Sequence, residues 1–412
     1  MTESYLKNIT PDSLSGLVFA AEGIKNSLVI LNGPTGCKFY HSITAENQSL
    51  RKDDYDPLNY PEEWFFGQRR VPCTYLDKRD YVYGSENKLE DAVRYILGKL
   101  SPEILVIINT PGAALIGDDL TRIADKAVKE AADPSGRPYT DLPVITFQSP
   151  GYSRDIIDGH IEAAEAVIDR LTDTGAESAP PSEKHGVNLL GLSIYQKYHA
   201  GDIAEISRLL ALSGIEVNTA FLCESTVEEI KRLPEALLNI VIDPDWGLET
   251  AELLKERFGT PYIVPGCGYP VGFKAAEKLV SEAAETLGTD PAPALDDLGK
   301  ARAKAYIHIA RMSSLTGLPK GAPFEVYGTP ALKKGYVSFL SEYLGMTEDP
   351  EDPEIVLGDG NVIAMMKAEG KRVSGIEVAL PTIGYIDVTD KTHLGSQGGL
   401  FLIEQILNSF VY

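Results

Sequence analysis

Short unbroken apolar runs recur along the chain at residues 28–31, 104–108, 144–147, 187–192, 238–242, 262–264 and 324–327. Each is closed by a turn marked with Gly or Pro and followed by a helical run. Apolar runs without polar alternation mark strands buried on both faces, and a strand-then-helix order predicts parallel sheets with helices on both sides. Two helices are especially legible. In 161–171, Ile161, Ala164, Val167, Ile168 and Leu171 fall on one stripe, as do Ile203, Ile206, Leu209 and Leu210 in 203–212.

Two composition breaks divide this pattern. Residues 172–185, TDTGAESAPPSEKH, have no apolar period and read as a linker, and 288–297, GTDPAPALDD, is a second break. The predicted fold class is α/β, with three Rossmann-like domains whose parallel sheets are flanked by helices, near 1–180, 186–290 and 300–412.

Charge and composition narrow the function classes. The 412 residues carry 38 Lys and Arg against 60 Asp and Glu, a net charge of -22 that repels phosphate backbones and predicts no nucleic-acid partner. No apolar run approaches the roughly 18 residues of a membrane span. The start, MTESYLKNIT, lacks a basic-then-apolar leader, so a soluble, cytoplasmic protein without a membrane partner is expected. The cysteines, Cys37, Cys73, Cys223 and Cys267, form no CxxC pair and no secreted disulfide framework.

Residues 27–40, SLVILNGPTGCKFY, concentrate the chemistry. Gly33 and Gly36 allow backbone angles closed to other residues and Pro34 fixes one more, which predicts that Cys37 sits on a stiff turn at a strand end. A thiol held this way suits a metal or cluster ligand; a buried structural cysteine is the alternative. Asp118 and Asp119, in LIGDDL, follow Gly117 at a strand-to-helix transition, where a carboxylate caps exposed backbone N–H groups. Tyr55, Tyr60, Trp64, Phe65 and Phe66 read as a surface loop that packs on a partner subunit.

Further segments become diagnostic as a set: CTYLDKRDYVYGSENKLEDAV from Cys73, INTPGAALIGDDL from Ile108, TFQSPGYSRD from Thr146, NLLGLSI from Asn188 with GIEVN from Gly214, LNIVIDPDWG from Leu238, and GSQGGLFLIEQILNSF from Gly395. In order and character, from about Leu17 to the C-terminus, they resemble the component 1 family of nitrogenases. That family includes the nitrogenase catalytic subunits, the dark-operative protochlorophyllide and chlorophyllide reductases, cofactor-assembly scaffolds and the reductive cyclase of nickel-tetrapyrrole biosynthesis.

The resemblance implies that Cys37, in the Gly-Pro-x-Gly-Cys turn with Gly36, ligates an iron–sulfur cluster between two subunits. Family members holding a large cluster spend three cysteines per subunit; the other two positions here are Pro111 and about Pro11 or Asp12. Asp12 is an oxygen donor near the lost first ligand, or an N-cap. Cys73 opens a segment that approaches the same interface in the family, so Cys37 and Cys73 from two related chains would complete a 4Fe-4S cluster; a packed thiol is the alternative. Cys223 and Cys267 are expected to be structural or incidental, with a place facing a substrate cavity as the alternative for Cys267. His41, four residues after Cys37, is either a hydrogen-bond donor near the cluster or solvent-facing.

At the family's second cofactor site the cysteine falls at Asp243 and the histidine at Leu394, with His393 one residue earlier, which argues against a molybdenum cofactor. Asp243 and His393 are candidate proton donors lining a pocket between domains; His393 as a surface cap of the last helix is the alternative. The implied partners are a homodimeric or paralogous component 1 subunit and a separate ATP-dependent nitrogenase-type iron–sulfur reductase, since the chain has no GxxxxGK[ST] loop. The competing expectation is a non-catalytic scaffold for metallocluster assembly or transfer.

Overall fold

A computed structural model describes residues 11–48, 71–148, 154–172, 186–384 and 387–410. The aromatic loop expected around Tyr55 to Phe66 and all but Thr172 of the expected linker lie outside the described residues. The chain divides into two compact units, Thr10–Gly175 with Leu222–Arg232, and Ala176–Phe221 with Leu233–Tyr412. Among the described residues no helix is long and apolar enough to cross a membrane.

The first unit is built on three parallel strands, β1 (Ser27–Asn32), β2 (Ile104–Asn109) and β3 (Val144–Phe147), in that spatial order. β1 and β2 pair without a register slip from Ser27↔Ile104 to Asn32↔Asn109. Their apolar residues are buried on both faces. Leu28, Ile30, Leu105 and Ile107 join a core with the helices Glu86–Leu97 and Leu120–Glu130, and the fully buried helix Ser13–Glu22 packs against β1, β2 and the helix Ile156–Leu171. Each such buried Leu or Ile is worth about 1.5–3 kcal/mol of transfer free energy, so the sheet is a rigid floor for the loops at its carboxyl end.

The second unit holds two four-stranded parallel sheets. β4 (Val187–Leu190), β5 (Val217–Ala220), β6 (Leu238–Val241) and β7 (Tyr262–Ile263) take the order β5-β4-β6-β7. The chain thus leaves β4 to one side for β5 and to the other for β6, a switch point at which open α/β sheets present ligand sites beyond their carboxyl ends. β8 (Pro323–Val326), β9 (Thr347–Glu348), β10 (Ile355–Asp359) and β11 (Ser374–Ala379) take the order β11-β10-β8-β9. The loop after β4 joins the sheets, with Leu380 N donating to Tyr195 O at 3.1 Å and an antiparallel bridge from Gln196 to Ala379.

Part of the expected break at 288–297 is ordered helix. Gly288 is the left-handed C-cap of the helix Gly272–Leu287, and a 25-residue helix, Ala292–Thr316, begins four residues on.

Candidate functional site

In the first unit, β1 and β2 both end in Asn-x-Pro, at Asn32-Gly33-Pro34 and Asn109-Thr110-Pro111. Because the strands are in register, the two amides lie side by side, and Asn32 Nδ2 donates to Asn109 Oδ1 at 2.8 Å. Asn32 Oδ1 accepts from Thr74 Oγ1 at 2.8 Å, and Thr74 Oγ1 in turn accepts from Gly33 N at 2.9 Å. Thr110 donates twice to Asn32 O, from its backbone N at 2.9 Å and from Oγ1 at 3.1 Å. Buried, fully connected networks of this kind fix geometry, since each broken link leaves a costly unpaired group.

This network carries the two cysteines. The segment containing Cys73 pairs with β1 through a parallel bridge from Cys73 to Leu31, with Leu31 N donating to Pro72 O at 2.9 Å and Thr74 N to Leu31 O at 3.1 Å. Tyr75, two residues on, takes φ +59°, a strained angle for a bulky side chain. Cys37 lies in the first turn of the helix Thr35–Gln48, hydrogen-bonded to the Thr110 side chain. Cys37 and Cys73 are therefore both at the carboxyl end of β1, and both are partly exposed. Burial and the charge of Asp12 raise the Cys37 pKa despite the Thr110 hydrogen bond.

The glycines act differently from the expectation. Neither Gly33 nor Gly36 has positive φ, and Cys37 is in a helix rather than on the turn itself. Gly33 is required by close packing, since a Cβ there would lie 2.0 Å from Thr110 Oγ1; a Cβ at Gly36 would meet nothing within 4 Å.

Asp12 is the N-cap of the helix Ser13–Glu22, accepting from Ser15 N and Ser15 Oγ at 3.0 Å each, and its Oδ1 is also 3.1 Å from His41 Nδ1. Burial alone would raise its pKa, but the hydrogen bond and charge of His41 and the bonds from Ser15 together lower it. His41 is buried, not solvent-facing.

Asp119 caps its own helix, accepting from Arg122 N at 3.1 Å. Asp118 instead reaches Ser85, taking its backbone N at 2.6 Å and its hydroxyl at 2.7 Å, and so holds the entry to the helix Glu86–Leu97. Among the described residues no group of three His, Cys, Asp or Glu side chains is poised to hold a metal ion.

In the second unit, Asp243 follows β6 at the switch point and caps the helix Pro244–Phe258, accepting from Asp245 N at 3.0 Å. The carboxyl is fully buried, and its Oδ2 has no hydrogen-bond partner among the described residues. Burial, then the neighbouring Asp245, pushes its pKa up to about 8. Gly191, at the end of β4, has φ +85°, and a Cβ there would lie 2.2 Å from Asp243 O.

His393 is also buried, which removes the surface-cap alternative. Its Nε2 is 2.6 Å from Gln405 Oε1, an acceptor, and its Nδ1 is 2.8 Å from the Tyr336 hydroxyl oxygen. These partners assign a neutral ring that donates to Gln405 and accepts from Tyr336. Burial drives the pKa down to about 3. Beside it, Asp202 accepts from Tyr269 at 2.5 Å and Thr392 at 2.6 Å, with burial raising its pKa to about 6 despite those bonds.

Sequence reading missed Asn32, Thr74 and Thr110, although the repeated Asn-x-Pro ending was a visible signal. It also missed Asp202 and Tyr269, for which no local motif exists.

Residues 13–347 match the family model of the nitrogenase component 1 type oxidoreductases. A subunit of the light-independent protochlorophyllide reductase of Bradyrhizobium sp. (strain BTAi1 / ATCC BAA-1182) is 30% identical over 55% of this chain and 43% of its own length. The nitrogenase molybdenum-iron protein alpha chain of Methanosarcina barkeri is 26% identical over 66% of this chain and 46% of its own. The matches thus span less than half the length of these relatives. The solved structure of nitrogenase Cp1 at pH 6.5 superposes with a TM-score of 0.71, covering 100% of this chain and 95% of that one; at 15% identity this shows a shared fold.

Proposed function

Since the chain belongs to the nitrogenase component 1 type oxidoreductases, we propose that it is a component 1-like oxidoreductase subunit holding half of a 4Fe-4S cluster site through Cys37 and Cys73. One observation carries this reading: two partly exposed thiols sit at the same end of β1, fixed by the Asn32–Thr74–Thr110 network. Soft thiolates suit iron–sulfur ligation, and two of them are half of a four-cysteine set, so the remaining ligands come from a second subunit, a copy of this chain or a paralogue. When bound, the cluster supplies one-electron transfer.

This chain's own residues do the rest. Burial and the charge of Asp12 hold the proton on Cys37, with the Thr110 hydrogen bond as the opposing contact, so ligation of a cluster would displace that proton. Asp12 either ligates or stays a cap; its bonds to Ser15 and His41 favour the cap. Gly36 leaves the helix start uncovered, so a partner or cluster can approach the backbone. Exposed Val82, Tyr83 and Leu115 near the strand ends suit the docking of an ATP-dependent nitrogenase-type reductase as electron donor.

In the second unit, Asp243 is protonated at neutral pH with an uncommitted oxygen, and it is the proton donor we assign to substrate reduction. His393, neutral and bonded at both nitrogens, positions Tyr336 and Gln405 rather than supplying protons. A scaffold for metallocluster assembly is the second reading, favoured by Pro111 standing where the family's third cysteine falls, at the first position of the helix Pro111–Ala114.

The test is anaerobic purification with iron and sulfide quantification and EPR. Wild type is expected to carry both elements, Cys37→Ser to lose them with the fold kept, and Cys73→Ser to retain less. Metal-free protein that cannot be reconstituted would overturn the cluster reading. Cluster reduction that is indifferent to a nitrogenase-type reductase and ATP would leave the scaffold.

A further inference from the structure

The helix Ala292–Thr316 is buried only in its first part, at Ala294, Leu298, Ala301 and Ala305. Beyond Ala305 its side chains face solvent or are partly covered, and large apolar ones are among them: Tyr306 is 68% exposed, Ile307 68% and Leu315 74%. About eleven residues of helix make an arm of about 16 Å. Its charge is also out of keeping with the chain. Residues 299–324 contain Lys300, Arg302, Lys304, Arg311 and Lys320 and no Asp or Glu, in a protein of net charge -22. Lys300 pairs with Asp296 at 2.6 Å and Arg302 with Glu277 at 2.8 Å, whereas Lys304 and Arg311 make no ion pair among the described residues.

A patch of opposite sign lies on the neighbouring elements of the same unit. The loop after the arm is tied to the start of β9, with Gly321 N donating to Gly345 O at 2.8 Å and Thr347 N to Ala322 O at 3.0 Å. β9 is the edge of its sheet, and residues 348–354, EDPEDPE, leave it directly. Asp349 Oδ1 shapes this segment into a turn by accepting from Glu351 N at 3.1 Å and Asp352 N at 3.2 Å. Glu348 is neutralised by Lys333, but Glu351, Asp352 and Glu354 are exposed and make no ion pair among the described residues.

We propose that this region is an interface with a second copy of the chain, in which the basic arm of each protomer packs on the acidic turn of the other. Two bodies of net charge -22 repel overall, so they associate only where local charges are complementary. Adjacent patches of opposite sign meet that condition under twofold symmetry, because one rotation makes both contacts at once. Ile307 and Leu315, which helical spacing puts on the same side as Lys304 and Arg311, then supply the apolar centre that charged rims surround in protein interfaces, while Tyr306 lies on the opposite side. The surface belongs to the second unit and shares no residue with the proposed cluster site at Cys37 and Cys73.

Sedimentation of the full-length chain tests this, in wild type and in a Cys37→Ser background that removes association through the cluster. In both, an association step is expected that weakens about tenfold or more between low salt and roughly 0.5 M salt. Lys304→Glu with Arg311→Glu should abolish it, as should Glu351→Lys with Asp352→Lys. All four side chains are exposed and circular dichroism should stay unchanged. An equimolar mixture of the two reversed proteins should associate again, since both contacts are restored with inverted signs. Unchanged mass in either reversed protein, or a mixture whose components stay apart, would overturn the interface.

Discussion

Asp243→Asn isolates the buried carboxyl at the end of β6. In the folded chain this group is fully buried and keeps its proton up to about pH 8, whereas in an unfolded chain it ionises near about 3.9. Between those values the native state binds a proton that the unfolded state has released. Stability therefore falls as pH rises through this window, by up to about 1.4 kcal/mol per pH unit, and levels off above the folded pKa. The amide keeps an oxygen to accept from Asp245 N and has nearly the same volume, but it does not titrate. The stability difference between wild type and variant should change by about 2–4 kcal/mol from pH 5 to pH 8, the lower figure allowing for relaxation around the charge. Urea unfolding at constant ionic strength, followed by circular dichroism at each pH, measures it. A difference that is the same at pH 5 and pH 8 would refute the protonated carboxyl, and with it Asp243 as a proton donor at neutral pH.

Three further perturbations separate roles that sequence alone leaves together. Asp119→Ala removes a local cap and should cost about 1 kcal/mol, whereas Asp118→Ala breaks two bonds to Ser85 and should cost about 1–3 kcal/mol, both read from urea midpoints. His393 stays neutral when folded but charges below about pH 6.5 when unfolded, so its contribution to stability is lost as pH falls toward about 3; His393→Gln should reduce the acid sensitivity of unfolding between pH 6.5 and pH 4. Gly33→Ala should destabilise through its clash with Thr110, while Gly36→Ala should stabilise by about 0.5–1 kcal/mol. Loss of iron from Gly36→Ala with that gain in stability would assign the glycine to cluster or partner approach.

The seven strands expected from apolar runs all occur, although β3 and the two-residue β7 are only partly buried. Three of the others lack an apolar run for identifiable reasons, whereas β10, IVLGD with its first four residues buried, is an apolar run that sequence reading passed over. β5 reads VNTA and β9 has two residues, so neither has an apolar run. β11 carries Glu377 in its middle, and that carboxylate is buried because it accepts from Ile383 N at 2.8 Å and Gly384 N at 2.7 Å. A strand that spends an inward position on holding the next loop conceals its own pattern. At the candidate site, Cys37 was legible from a strand followed by a turn, but its support was not. Thr74 lies 42 residues from Asn32, and Asp118 lies 33 residues from Ser85. Contacts at such separations leave no periodicity to read.

A multi-electron reduction needs electrons and protons, and under the proposed function the two units would meet different halves of that requirement. The first presents soft, partly exposed thiols with no complete metal-binding group among its described residues, which on the proposed reading a second chain completes. The second closes Asp243 and His393 away from water; both ring nitrogens of His393 are hydrogen-bonded, which leaves Asp243 Oδ2 as the uncommitted atom of its two candidate proton donors. Burial acts oppositely on the two groups: it keeps the proton on Asp243 and keeps one off His393. Only the carboxyl therefore holds a transferable proton in a form that neutral pH can restore after each transfer. That asymmetry comes from desolvation acting on an acid and a base alike, and it selects Asp243 over His393 without appeal to any bound group.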